Sequence, residues 1–199
     1  MSGMLNIKTI IGSTRQNRFS DKPAGWIHAL SQERAGVEAE LLDLRDYALP
    51  FFDEPMSPAR FQGKYPNEAS ARWASKIDEA DAYIIVSPEY NHGYPAVLKN
   101  AMDWAYTEWT NKPVGFVSYG GVGGARAVEQ LRQVAIEFQM APIRNAVHLP
   151  VDVYIAVMKE QVPVNPELFK PSQVQAERLL DQLIWWARAL KAARIESAG

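Results

Sequence analysis

The chain has no cysteine. That excludes disulfides, thiolate metal sites and a cysteine nucleophile, and it fits a reducing compartment. Histidine is nearly as scarce. His28, His92 and His148 are the whole supply, scattered along the sequence, which argues against a metal site. An excess of one charge is missing too. The formal net charge of -2 gives no general field to draw nucleic acid or an anionic membrane, so any phosphate recognition must be local. No run of residues is apolar enough to span a bilayer, and Leu5 to Ile11 is too short and too polar for a signal-peptide core. A cytoplasmic location is therefore expected. Internal repeats and low-complexity tracts are also absent. What remains is an ordinary globular composition, 47% hydrophobic over 199 residues, expected to fold as one domain, 1–199.

Along the chain, short β-rich runs alternate with longer helical ones. Leu5–Ile11 reads as a strand and Asp21–Arg34 as a helix with Trp26, Ile27 and Leu30 at helical spacing. Val37–Leu44 reads as a second strand, followed by a connection over Arg45–Pro66 rich in proline and aromatics. Asn67–Ala80 is a helix capped by Asn67. Ala82–Val86 is apolar on both faces, as a central parallel strand requires. Helices are expected at Pro95–Trp109, Arg126–Gln139 and Val174–Ala192, and strands at Pro113–Val117 and Asn145–Leu149. This alternation implies a three-layer α/β sandwich on a parallel sheet. Ligands of such sheets bind beyond the carboxyl ends of the strands, so the loops after the first, third and fourth strands matter most.

The first of these, Gly12-Ser13-Thr14-Arg15-Gln16-Asn17-Arg18-Phe19-Ser20, sets hydroxyls, amides and two guanidiniums directly before a helix. Free N–H groups and a partial positive charge at a helix start suit a phosphate. The plain alternative is a surface loop in which Ser20 caps the helix. Neither G-x-G-x-x-G nor G-x-x-x-x-G-K-[ST] occurs there, so a dinucleotide fingerprint and a P-loop are excluded. A terminal monoester wrapped by N–H and O–H donors fits better. The second loop, Ser87-Pro88-Glu89-Tyr90-Asn91-His92-Gly93-Tyr94-Pro95, offers aromatic faces and, from Glu89 to Asn91, backbone N–H groups for the edge of a flat heteroaromatic ring. Gly93 is expected to take an unusual backbone angle. In the third loop, Ser118-Tyr119-Gly120-Gly121-Val122-Gly123-Gly124-Ala125, the glycines let backbone approach a ligand.

Together these loops resemble those of the NADPH-dependent FMN reductase family. The resemblance runs from Ile10 to Gly124 through Gly12-Ser13-x-Arg15 with Ser20, then Ser87-Pro88-Glu89-Tyr90-Asn91 with Pro95 and Leu98-Lys99-Asn100-Ala101-x-Asp103-Trp104, then Ser118-x-Gly120-x-x-Gly123-Gly124. The first loop is one residue longer than the commonest spacing, and His92-Gly93-Tyr94 departs from the small residues usual after the asparagine. The resemblance implies a flavodoxin-like fold with a five-stranded sheet in the order 2-1-3-4-5. It implies FMN and NADPH as cofactors, and hydride transfer through the flavin to a quinone, free flavin or similar small acceptor. It also implies an FMN phosphate on Ser13, Arg15 and Ser20 with Asn17, a ring and ribityl chain along Pro88, Glu89, Tyr90 and Asn91, and closure by Ser118, Gly120 and Gly121. Arg15 and, less so, Arg18 could also meet the 2′-phosphate of NADPH. Family members are usually homodimers or homotetramers, and the aromatic segments Leu49–Asp53 and Trp104–Trp109 are expected interface elements.

Two other readings are open to the same sequence. A non-enzymatic flavodoxin-type electron carrier would share fold and FMN but would use a strongly acidic docking surface, which a net charge of -2 does not supply. A receiver domain needs carboxylates where Gly12-Ser13 and Ser87-Pro88 stand. A serine hydrolase is excluded more directly, since Ser118 lacks the G-x-S-x-G elbow.

Overall fold

The computed structural model describes residues 3–159, 161 and 163–197, so the outermost bounds of the expected domain lie outside the described residues. Five strands, β1 (Leu5–Ile11), β2 (Val37–Asp43), β3 (Ala82–Pro88), β4 (Pro113–Tyr119) and β5 (Ala141–His148), form one parallel sheet ordered β2-β1-β3-β4-β5. The central strands β3 and β4 are buried along their whole length, which is why they read as continuous apolar runs.

Side chains alternate across the sheet. Ile10, Tyr83, Ile85, Val114 and Phe116 enter one core, against α2 (Glu68–Asp78), α3 (Ala96–Asp103) and α4 (Ala125–Glu137). Ile7, Ile11, Ile84, Val86 and Val117 enter the other, against α1 (Asp21–Gln32) and α6 (Gln173–Ser197). Asn67 caps α2 as expected, accepting a hydrogen bond from the Ser70 N–H at 2.9 Å.

Besides α6, which runs to Ser197, five residues past its expected end at Ala192, the departures that bear on the site are three. The helix expected over Pro95–Trp109 stops at Asp103 and resumes as a 3₁₀ turn at Thr107–Trp109. Trp104 and Trp109 are both fully buried, their indole N–H groups donating to the carbonyls of Pro50 and Met102. Five residues apart, they could not face one core from a continuous helix, because each residue advances the helix by about 100°. The expected interface role of this segment is corrected accordingly: its tryptophans pack inside their own chain. β5 begins four residues earlier than expected, at Ala141. Beyond it lies a helix the reading lacked, α5 (Val151–Met158).

Register brings the loops together. Ile11 lies beside Val86 and Asp43, Ser87 beside Ser118, and Ser118 beside His148. The segments leaving β1, β3, β4 and β5 therefore start at one level of one sheet edge.

Candidate functional site

The first loop is arranged so that its carbonyls are occupied by cations. Arg18 is buried, and one guanidinium nitrogen donates to the Ser13 carbonyl at 2.6 Å and to Asp43 at 2.7 Å. Its second nitrogen completes a bidentate pair with Asp43. This hydrogen bonding, with the Asp43 charge, outweighs burial and raises the Arg18 pKa further. Arg45 donates to the carbonyls of Thr14 and Arg15. With the carbonyls held, the backbone N–H groups from Gln16 to Ser20 have no acceptor among the described residues. Asn17 sits at φ 51°, in the left-handed region that turns successive N–H groups toward one point. Such a cluster just before α1 fits an anion.

Ser20 does not cap α1: its hydroxyl makes no capping bond. It lies 2.6 Å from the hydroxyl of Tyr119 instead. Ser13 likewise meets the hydroxyl of Tyr90 at 2.8 Å. Each serine thus ties the first loop to one of the other two. Burial, which its hydrogen bond to Ser20 only partly offsets, keeps the Tyr119 phenol protonated far above its ordinary range. Arg15 is exposed, its guanidinium 5.2 Å from the centre of the Tyr90 ring.

The second loop is a two-residue hairpin. Tyr90 and Gly93 exchange both backbone hydrogen bonds, and Asn91 and His92 both carry positive φ, 49° and 76°, which defines a type I′ turn. The unusual angles fall on Asn91 and His92, not on Gly93. Of the N–H groups expected at a ring edge, that of Glu89 donates to Tyr119 and that of Tyr90 to Gly93. Of the three, only that of Asn91 lacks an acceptor among the described residues, as does that of His92 beside it at the tip. The Glu89 carboxylate, 3% exposed, accepts from the Arg126 side chain at 2.7 Å and from the backbone N–H of Arg126 at the start of α4. Burial disfavours its ionisation, yet the Arg126 hydrogen bonds and charge hold its pKa below the ordinary value.

In the third loop, Gly124 takes φ 77° as the residue before α4, where a Cβ would meet that of Ser118 at 2.7 Å. Ser118 lies beneath the loop. Its hydroxyl donates to the Gly123 carbonyl at 2.7 Å and meets His148 Nδ1 at 2.8 Å. With the hydroxyl proton spent on Gly123, the imidazole serves Ser118 as a donor. The pair is a clasp on the loop rather than nucleophile and base. Burial lowers the His148 pKa.

A cavity of about 380 Å³ opens between these segments. Seven of the eleven site residues expected from sequence line it: Arg15, Asn17, Pro88, Glu89, Tyr90, Gly120 and Gly121. Ser13 and Ser20 are buried behind the wall, Asn91 is exposed at the hairpin tip, and Ser118 is buried under the glycine loop. The reading missed the opposite wall: Phe19, Tyr119, from α5 Val151, Tyr154, Ile155 and Met158, and Lys159 just past its end. Tyr154 stacks on Tyr119 at 6.1 Å and 16°, with Phe19 edge-on to both. The signal for α5 was present, since Val151, Tyr154, Ile155 and Met158 stand at i, i+3, i+4 and i+7.

A five-stranded parallel sheet in this order, with the loops after β1, β3 and β4 lining one cavity, defines a flavodoxin-like protein. The chain belongs to the NADPH-dependent FMN reductase family, whose model matches residues 5–152. It is 40% identical over 148 residues to a NAD(P)H-dependent FMN reductase of Schizosaccharomyces pombe, covering 73% of this chain and 74% of that protein. It is 38% identical over 141 residues to a NAD(P)H:quinone oxidoreductase of Solanum tuberosum, covering 67% and 68%. Among solved structures, the flavoenzyme NAD(P)H:(acceptor) oxidoreductase FerB of Paracoccus denitrificans superposes with a TM-score of 0.68 over 90% of this chain and 97% of that one. At 22% identity that likeness shows the fold. The chain is an oxidoreductase whose cofactors are FMN and NAD(P)H.

Proposed function

We propose that the FMN phosphate sits on the first loop and its ring between the second and third, with a quinone or free flavin as the final acceptor. One observation carries this: residues from all three loops line a single cavity, with an unsatisfied N–H cluster at one end. FMN, when bound, supplies the hydride-accepting ring, and the protein supplies position and electrostatics.

Arg15 and the N–H groups of Gln16 to Phe19, which line the cavity, hold the phosphate. The hydroxyl pairs Ser13–Tyr90 and Ser20–Tyr119 fix that seat relative to the ring, so a shift at one end is felt at the other. The N–H groups of Asn91 and His92 stand unspent at the hairpin tip, outside the cavity lining, so they are open to a ring edge that reaches the cavity mouth, where donors would stabilise the negative charge that grows on reduction. Glu89 brings no net charge to that edge, because Arg126 neutralises it. No side-chain nucleophile is required. NADPH and the acceptor use the same open face in turn, which gives ping-pong kinetics.

The quinone reading draws support from the potato relative. Phe51, 79% exposed, and Met56, 51% exposed, supply apolar surface for a homodimer or homotetramer. Among the described residues no helix is long and apolar enough to cross a membrane, and the proposed setting is the cytoplasm.

The test is a visible spectrum of the purified protein. Flavin bands that NADPH bleaches without air, and that a quinone restores, are expected. A colourless protein that fails to take up added FMN would sink the reading. Bound FMN with no NADPH oxidation would point instead to the electron carrier.

A further inference from the structure

The family match stops at residue 152, but the cavity continues past it. Its far wall is α5, Val151–Met158. Of that helix only Asp152 carries charge, and only Val153 is buried. Val151 is 36% exposed, and Tyr154, Ile155 and Met158 are half-covered. Those four form the helical stripe facing the cavity.

Tyr154 and Met158 pack in part against the core, but the surface that the four leave open over the cavity adds nothing to folding, since the hydrophobic gain scales with area removed from water. They suit a ligand that completes the burial. The loops across the cavity carry the polar donors, whereas the stripe offers methyl groups, a thioether and the Tyr154 ring, and Lys159 just past its end is the one charge that the far wall adds. That ring extends the aromatic surface of Tyr119.

We propose that the α5 stripe is the acceptor-side wall of the site and sets which acceptors this chain reduces, favouring neutral planar quinones. The inference rests on FMN occupying the three loops. NADPH loses one hydride and leaves as NADP⁺. The quinone gains the two electrons of that hydride and two protons in all, one originating with the hydride and one from water, and leaves as the hydroquinone. A small anion such as ferricyanide takes single electrons without needing apolar contact, so the stripe contributes nothing to it. Because α5 lies almost wholly beyond the family match, acceptor preference can differ here from relatives that share the loops.

The experiment uses FMN-loaded wild type, Ile155→Gln, Met158→Gln and the double variant, with NADPH and either 1,4-naphthoquinone or ferricyanide. Removing apolar contacts from a binding wall costs about tenfold or more in specificity. The double variant is expected to lose about that much kcat/KM toward naphthoquinone, mainly through KM, and less than threefold toward ferricyanide. Ile155→Leu with Met158→Leu should restore the quinone value. Equal losses on both acceptors, no loss on either, or loss of FMN in step with loss of quinone activity would each overturn the proposal. If Ile155→Gln fails to fold, Met158→Gln alone carries the same comparison. A wild type that binds FMN without oxidising NADPH would overturn the functional reading, and this inference with it, and is told apart by needing no variant at all.

Discussion

Arg15 is the one guanidinium of the first loop without a protein acceptor among the described residues. Arg18, with three hydrogen bonds to Asp43 and Ser13, is spent on holding the loop's shape. Sequence alone treats the two as similar donors beside a helix start. The structure separates them, because Asp43 ends β2 directly beside Ile11. A charge-assisted hydrogen bond contributes about 1.5–3 kcal/mol. Arg15→Ala is therefore expected to weaken FMN binding by about ten- to a hundredfold while leaving the unfolding midpoint nearly unchanged. Quenching of FMN fluorescence on titration into apoprotein measures the first, and urea denaturation the second. Arg18→Ala should reverse that pattern, losing stability first because it strands a partly buried carboxylate. Gly124 makes a different demand. At φ 77° with Ser118 Cβ in the way, Gly124→Ala is expected to cost about 2–4 kcal/mol, the sum of left-handed strain and overpacking. Thermal unfolding checks it, and a loss under 1 kcal/mol would mean that the loop relaxes freely.

At the scale of elements, the link that matters most to the cavity joins the β3 hairpin to α4. Glu89 bonds both the side chain and the backbone of Arg126, crossing from the second loop to the end of the third. Arg126 is 44% exposed, which discounts the ion pair for solvent, so Glu89→Gln is expected to cost about 1–2 kcal/mol. The folded-state pKa of Glu89 is lowered, so its contribution is fully present above the ordinary carboxylate value and is lost as pH falls through the lowered one. The gap between wild type and Glu89→Gln in urea should hold from pH 7 to about 5 and close as the solution is taken below about 4. A gap that persists in acid would show that the carboxylate charge is not what stabilises this contact. Such links explain what the sequence could and could not reveal. Strands β1 to β4 and helices α1, α2, α4 and α6 announce themselves by period and by caps such as Asn67. The convergence of loops followed from the parallel sheet, whose ligands bind beyond the carboxyl ends of its strands, while the strand order came from the flavodoxin-like pattern, since periodicity carries no register. The hydroxyl pairs Ser13–Tyr90 and Ser20–Tyr119 span 77 and 99 residues, and nothing local marks them. α5 carries its helical period over only two turns and lies where the family motifs had ended, so the sequence reading left it unassigned.

For the molecule as a whole, the edge opposite the site carries a separate electrostatic cost. Lys112, at the entry to β4, is 5% exposed and points its amine at the carbonyls of Ile77 and Asp78, 3.1 and 2.8 Å away, at the end of α2. The Tyr83 ring lies 5.9 Å from it. Burial dominates over the nearby Asp78 charge and lowers its pKa to about 8. Because the folded value lies below that of the unfolded chain, the folded protein gives up this proton first. Below about pH 8 both states hold it, and the folded state bears the full cost of a buried charge, about 3 kcal/mol. Between about pH 8 and 10.5 the unfolded state holds more protons, so the contribution of this group to stability rises with pH. Tyrosine ionisation acts in the opposite direction over the same range, which makes the wild type alone a poor gauge. Lys112→Met keeps the tyrosines and removes the amine. Going from pH 7 to pH 10, urea unfolding should show wild type gaining about 2 kcal/mol relative to Lys112→Met. A difference that stays flat with pH would mean that the two carbonyls and the Tyr83 ring stabilise the ammonium enough to cancel its burial, and that the cost assigned to this edge does not exist.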